Sequence, residues 1–194
     1  PLVSGSYYVH WNSDPGCGTA IDCCITTVVC PTCLGGGGGG IQVQQDLTPV
    51  QLITERFLGE CLSASNVTFT GANVSVGTFS NGWGIGIEDG IIITTGSALA
   101  ALGPNNTESS STTNASGGHA LLTSLAGQAT DDAAVFQFTF VPETDEVSFT
   151  YVFASEEYPE YVCSTYNDVF GFFISGPGYA PNTKVALHPG STLP

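Results

Sequence analysis

The sequence predicts a mostly β protein: an antiparallel β-sandwich or jelly-roll-like domain with one short N-terminal helix, preceded by a Cys-rich irregular arm. Three observations predict this class. Short alternating apolar runs continue from residue 65 onward, one segment near residue 50 has helical spacing, and five of the seven cysteines precede a run of six glycines. Because no further helical pattern is available to cover a parallel sheet, the strands must cover each other.

The chain divides into three predicted segments: a Cys-rich arm at 1–34, a poly-Gly linker at 35–40 and a β domain at 41–194. Consecutive glycines form the most flexible kind of linker. A phosphate-binding loop would need Lys and then Ser or Thr after the glycines, whereas IQVQQ follows here. We therefore interpret the glycine run as a hinge between the arm and the domain.

The cysteines of the arm favour disulfide staples, because a short segment without a core needs covalent support. Zinc or redox chemistry is the alternative, since CPTC at 30–33 has metal-knuckle spacing, but no second pair follows at regular spacing. An odd total leaves one thiol free or bonded to another chain. The predicted disulfide cysteines are Cys17, Cys23, Cys24, Cys30, Cys33, Cys61 and Cys163.

The segment DLTPVQLITERFLGE, residues 46–60, predicts the helix. Thr48 is its expected N-cap, Pro49 its first residue, Gln51 the reciprocal member of a capping box and Gly59 its terminator. Apolar residues at helical spacing predict a core-facing stripe. This stripe consists of Val50, Ile53, Phe57 and Leu58.

Short apolar or alternating runs bounded by Gly, Pro, Asn and Asp predict the strands. These runs are SNVTFTG, ANVSVGTF, GIIITTG, AVFQFTFV, VSFTYVFA, DVFGFFIS and TKVALHP. In the fifth run, Phe149, Tyr151 and Phe153 share one face, as do Phe170, Phe172 and Ile174 in the sixth. The acidic stretch 154–168 is therefore expected to be a loop that joins two core strands, a common place for a functional site.

Several motifs occur together in one order: the helix, NVTFTGANVSVGTFSNG, GIEDGIIITTGSA, GPNN, DDAAVFQFTFVP and FASEEYPEYVCSTYNDVFGFFISGPG. Over about residues 46–194 they resemble the choice-of-anchor L domain of bacterial secreted and cell-surface proteins. The resemblance implies an exported protein at the cell surface or outside the cell, and it implies no established activity. Further strands are expected beyond GSTLP, supplied by residues that follow or by a neighbour.

The composition excludes some partners. Only two residues are Lys or Arg and the net charge is -15, which disfavours nucleic acid and anionic membranes. No run of about 20 apolar residues predicts a membrane span. Sequons begin at Asn66, Asn73, Asn105 and Asn114, and predict covalent glycans that would hydrate a surface poor in charges. The alternative for 105–116 is an unmodified, flexible polar loop.

The acidic loop suggests calcium, because this cation prefers six to eight oxygen ligands. The alternative is that the carboxylates accept backbone N–H groups and hold the loop without metal. Calcium binding predicts a melting temperature that falls in EDTA. The candidate ligands are Asp131, Asp132, Glu156, Glu157, Glu160, Asn167 and Asp168.

Catalysis is not expected. An acid and base pair for glycoside cleavage would use Glu156 or Glu157 with Asp168, but adjacent residues of an extended chain point to opposite sides. His119 has no nucleophile partner visible in the sequence and is interpreted as a surface histidine. No catalytic residue is assigned, and the chain is predicted not to be an enzyme.

These features predict an extracellular structural subunit that assembles with copies of itself into a filament or surface layer, with a glycosylated surface. Few charges, a detached arm, an odd cysteine and an unpaired strand edge favour it. The alternative is a calcium-dependent adhesin or a glycan-binding module that recognises glycans or cell surfaces. Its aromatic residues would be Tyr158, Tyr161 and Tyr166.

Overall fold

Seven strands and two short helices are present in the part of the chain that the structure, a computed structural model, describes. That part comprises residues 40–58, 62–103, 112–142, 150–154, 161 and 168–186. The strands are β1 (Gln42–Gln44), β2 (Leu62–Thr70), β3 (Val76–Ser80), β4 (Gly90–Ile93), β5 (Val135–Pro142), β6 (Phe173–Gly176) and β7 (Tyr179–Lys184). The predicted arm, the seven cysteines and the predicted terminator Gly59 lie outside the described residues.

The strands form three antiparallel sheets, ordered β1-β3-β4, β2-β5 and β6-β7. This arrangement confirms the predicted fold class, a mostly β protein with antiparallel sheets. The longest ladder joins β2 to β5 and contains a bulge between Ser65 and Thr68, where Asn66 adopts a left-handed φ of 54°. Neither β1 nor the start of β7 was among the predicted strands, and residues 150–154 form no strand beyond a single bridge at Phe153.

The first helix begins as predicted. Thr48 caps α1 (Pro49–Gln51): its Oγ1 accepts the Gln51 N–H at 3.3 Å, and its own N–H donates to Gln51 Oε1 at 3.1 Å. The chain then widens into a π-helix, Leu52–Phe57. Because a π-helical turn contains more residues than an α-helical one, the buried face is displaced from the predicted stripe. Leu52 is fully buried, while Val50 is 47% exposed.

A second helix, α2 (Ala120–Ala126), was not predicted from the sequence. It contains only seven residues, too few for a repeating apolar stripe, and no side chain caps its N-terminus. It ends at Gly127, which has a left-handed φ of 70°. Leu122 anchors it in the main core. No helix in the described residues is long and apolar enough to cross a membrane.

The main core lies where the π-helix, α2 and strands of all three sheets meet. Its buried members are Leu52, Ile53, Val76, Leu122, Ala133, Val135, Phe136 and Phe173. The β3-β4 part of the first sheet is buried on both faces, because Val76 faces this core while Phe79 and Ile92 belong to a second cluster with Ala98. Burial on both faces explains why β4 reads as the continuous apolar run GIII.

The aromatic run near the end of the chain faces the core with the opposite register from the one predicted. Phe173 is buried in the main core, whereas Phe170 and Phe172 are only half-buried. The two half-buried rings share a face, as the alternation predicted, but they meet Tyr151 instead of entering the core. A Cβ at Gly171 would lie 2.6 Å from the Phe173 ring, so this glycine leaves room for the ring to turn inward.

Candidate functional site

The predicted calcium ligands are only partly within the described residues. Asp131 is exposed, and Asp132 and Asp168 are half-buried. Among the described residues, no three His, Cys, Asp or Glu side chains are grouped closely enough to hold a metal ion. Glu156, Glu157, Glu160 and Asn167 lie outside the described residues, so calcium binding stays a prediction.

Asp132 holds the polar segment 112–117 against the start of β5. Its carboxylate accepts the Thr113 hydroxyl at 2.7 Å, the Asn114 N–H at 3.1 Å and the Ser116 N–H at 2.6 Å. Its own N–H donates to the Ser116 carbonyl at 3.0 Å. A carboxylate that accepts backbone N–H groups makes strong, charge-assisted hydrogen bonds. The arrangement gives Asp132 the bracing role that the sequence suggested for the acidic loop as its metal-free alternative.

Asp132→Asn is expected to lower the free energy of unfolding by about 1–3 kcal/mol. The amide would place an N–H group opposite the O–H and N–H groups from which the carboxylate accepts hydrogen bonds. Asn tolerates the left-handed φ of 50° at this position, so the backbone is not strained by the change. Denaturant unfolding measures the effect. Asp131→Asn, at an exposed neighbour, is the matched control and should change stability by less than about 0.5 kcal/mol. Equal effects of the two variants would contradict the bracing role.

Asn114 joins three segments that are distant in the sequence. Its Nδ2 atom lies 2.9 Å from Ser75 Oγ, 3.0 Å from the Thr95 carbonyl oxygen and 2.9 Å from the Gly96 carbonyl oxygen. Ser75 is itself buried, at 1% exposure. An N-linked glycan would be attached to this same nitrogen. The geometry therefore favours an unmodified Asn114, although its sequon predicted a glycan.

The other sequons differ from Asn114 in their surroundings. Asn66 and Asn73 are both exposed, the first at the bulge of β2 and the second at the start of a 3-10 turn, Asn73–Ser75. Asn105 lies outside the described residues. Glycosylation at these three positions stays a prediction, and two of them present their side chains at the surface.

His119 precedes α2 and is half-buried, so its interpretation as a surface histidine was wrong. Its backbone N–H donates to Thr130 Oγ1 at 3.2 Å, and Thr130 Oγ1 lies 2.9 Å from Thr123 Oγ1. Among the described residues, the buried ring atom Nδ1 has no hydrogen-bond partner. This surrounding of threonine hydroxyls places the histidine at the base of α2. The absence of catalysis stays a prediction.

Four aromatic rings form a cluster beside the acidic stretch. Tyr151 lies 5.0 Å from Phe170 and 6.0 Å from Phe172, measured between ring centroids, and Phe153 lies 6.0 Å from Phe170. Tyr161, a predicted glycan contact, is exposed, while Tyr158 and Tyr166 lie outside the described residues. The cluster ties together the two ends of the stretch 154–168.

Burial raises the pKa of Tyr151 above its usual value of 10.0. The folded state therefore holds the phenol proton more tightly than the unfolded state does. This contribution to stability is complete below pH 10 and is lost as the pH rises through the folded pKa. Tyr151→Phe should remove a tyrosinate absorbance component that appears above pH 10, and Tyr179→Phe, at a tyrosine outside the four-ring cluster, is the control. A titration unchanged by Tyr151→Phe would contradict this.

A polar pocket of about 390 Å³ lies over β1 and β3. Gln42 is opposite Ser80 and Gln44 is opposite Thr78, so four polar side chains share one sheet face. This is the face that, further along β3, carries the buried Val76. Arg56 from the π-helix and Glu88 and Asp89 from the turn before β4 also line the pocket. This pocket was not predicted from the sequence, where its signal is the alternation in QVQQ and GTFS.

Comparison with known proteins agrees with the motifs. Neither the curated proteins nor the solved structures contain a match to this chain. The family model of the choice-of-anchor L domain matches residues 42–194, from β1 through β7 and beyond. The match covers well over half of the chain and includes the Asn114 and Asp132 contacts and the β1–β3 pocket. The chain belongs to the choice-of-anchor L domain family.

Proposed function

We propose that this chain is an extracellular structural subunit that assembles with copies of itself into a filament or surface layer. Membership of the choice-of-anchor L family implies a secreted or cell-surface protein. Residues 1–34 of one copy would add a strand to β1 of the next copy. Such a head-to-tail contact does not close on itself and therefore produces a filament. Glycans at exposed sequons such as Asn66 and Asn73 would hydrate the surface of the assembly.

The observation that carries the proposal is the edge position of β1. Within the described ranges β1 pairs with β3 alone, so its other side offers backbone N–H and C=O groups to an incoming strand. β1 begins two residues after the last glycine of the six-glycine run, so the chain enters the domain at this strand.

Exposed apolar side chains lie on a turn that contacts β1. A 3-10 turn, Ala98–Leu102, packs next to β1. It leaves Leu99 46% exposed and Leu102 44% exposed. An added strand gains specificity when its side chains find apolar surface next to the backbone that it pairs with. We therefore propose that an extended peptide pairing with β1 would also contact Leu99 and Leu102.

Negative-stain electron microscopy of the full chain and of a chain lacking residues 1–34 tests the proposal. The full chain should form regular fibres or sheets, and the truncated chain should remain as dispersed particles. Leu99→Glu should also prevent assembly, because a charge beside a strand edge opposes pairing. Val141→Glu places the same charge on β5, at a position 64% exposed, and should assemble normally.

Fibres from the truncated chain would refute the role of the arm. Equal assembly of the Leu99→Glu and Val141→Glu variants would refute the role of the β1 edge. Dispersed particles from the full, glycosylated chain at every protein concentration would refute self-assembly altogether. Melting temperatures of all variants must match that of the unmodified chain, so that loss of assembly is not confused with loss of folding.

A further inference from the structure

We propose that the pocket over β1 and β3 binds a neutral saccharide. This function is separate from self-assembly and uses a site different from the tyrosines of the acidic stretch. The pocket volume of about 390 Å³ falls within the range of about 300–1,000 Å³ that is typical of small-molecule sites. Its position on a regular sheet face gives the lining side chains a rigid base.

The lining offers both hydrogen-bond donors and hydrogen-bond acceptors. The amide of Gln44 and the hydroxyls of Thr78 and Ser80 each donate and accept hydrogen bonds, whereas Gln42 Nε2 already donates to the Gly40 carbonyl at 3.0 Å and its Oε1 adds an acceptor. Arg56 adds a donor, and Glu88 and Asp89 add acceptors. Within the described residues, no hydrogen bond or ion pair engages the charged groups of these last three side chains.

The charge of the pocket selects the class of ligand. One guanidinium beside two carboxylates leaves a net negative site on a chain of net charge -15, which repels phosphates and other anions. A simple cation would leave the guanidinium and amide donors unused. Sugar hydroxyls each donate and accept, so a neutral sugar satisfies both the carboxylates and the guanidinium without a charge of its own.

An exposed tryptophan stands next to the pocket in the chain. Trp83 is 68% exposed, the highest value among the exposed large apolar residues of the described part. It belongs to a 3-10 turn, Gly82–Ile85, that follows the pocket residue Asn81 directly. The Gly82 N–H donates to the Glu88 carbonyl at 2.8 Å, which fixes this turn beside the pocket wall. Trp83 does not itself line the pocket, but aromatic faces suit the apolar face of a sugar ring, and we expect a saccharide that extends beyond the pocket along this turn to meet it.

Fluorescence titration tests the proposal. The chain has two tryptophans, so Trp11→Phe in the full-length protein leaves Trp83 as the reporter. The probes are three neutral trisaccharides: maltotriose, cellotriose and chitotriose. At least one should produce a saturable change in Trp83 emission and a matching heat by calorimetry. Glu88→Gln and Arg56→Gln should each weaken that binding about tenfold, the loss expected for one charged hydrogen bond.

Glu55→Gln is the matched control, because Glu55 is exposed on the same π-helix as Arg56 but does not line the pocket. It should change the affinity by less than about twofold. Absence of saturable heat and emission change with all three sugars would overturn the proposal. So would equal weakening by Glu55→Gln and Glu88→Gln. A change in Trp83 emission that follows protein concentration and ignores sugar would instead assign the pocket to a contact between copies, and would also overturn it.

Discussion

Gly118→Ala is expected to lower the free energy of unfolding by about 3 kcal/mol or more, although Gly118 is exposed. A Cβ at this position would overlap the backbone carbonyl of Thr130. Relaxation is restricted because hydrogen bonds hold the two segments together on either side: the Ala133 N–H donates to the Gly117 carbonyl at 3.2 Å, and the His119 N–H donates to Thr130 Oγ1 at 3.2 Å. The overlap therefore involves backbone atoms that cannot move apart without breaking these hydrogen bonds.

Thermal and denaturant unfolding measure this effect, and the expected loss corresponds to a fall in melting temperature of about 6–12 °C. Gly117→Ala is a control at the adjacent residue, since a Cβ there would meet nothing within 4 Å. It should leave stability within about 1 kcal/mol. Exposure alone predicts that both substitutions are harmless. If Gly118→Ala is as stable as Gly117→Ala, the close approach of residues 118 and 130 does not exist in solution.

Asn114→Asp is expected to have a comparable effect, a loss of about 3 kcal/mol. The substitution replaces the Nδ2 donor by an oxygen that faces three other oxygens, those of Ser75, Thr95 and Gly96. The remaining acceptors are left partly buried without their donor, and the new negative charge lies among partial negative charges. Denaturant unfolding at neutral pH measures the loss.

Asn73→Asp is the matched control, because it makes the same change at an exposed sequon and should alter stability by less than about 0.5 kcal/mol. Mass spectrometry of the native protein provides a second readout. A glycan on Asn114 would contradict the hydrogen-bonded arrangement. Equal melting temperatures of the two variants would contradict it as well.

Local signals predicted the start of the first helix and most of the strands. The capping box of Thr48 and Gln51 depends on residues three apart, so the sequence contains all of the required information. The length and pitch of the helix were not predictable in the same way. Its continuation as a π-helix places Leu52 and Ile53 together in the main core. The side chains that they contact there come from strands elsewhere in the chain.

In the candidate site, the polar segment that ends at Ser116 shows the same difference between what local sequence predicts and what distant contacts decide. Its composition suggested a glycosylated or flexible loop, because Ser, Thr and Asn favour both. Within residues 112–116, Asn114 instead forms a hydrogen bond with Ser75, which lies 39 residues earlier, and Ser116 forms one with Asp132. No pattern in a single sequence specifies such pairings, because they depend on which segments the fold brings together.

The sequence by itself determined the antiparallel β class, the capped helix start and the family, because these depend on period, on turn residues and on motifs that lie close together in the chain. Only the tertiary structure decided which face of the run Phe170–Phe173 enters the core, which asparagine of the sequons is held inside the fold, and where a polar pocket opens between Arg56 and β1. Each of these is a contact between distant segments, whose energy appears only after the strands have paired.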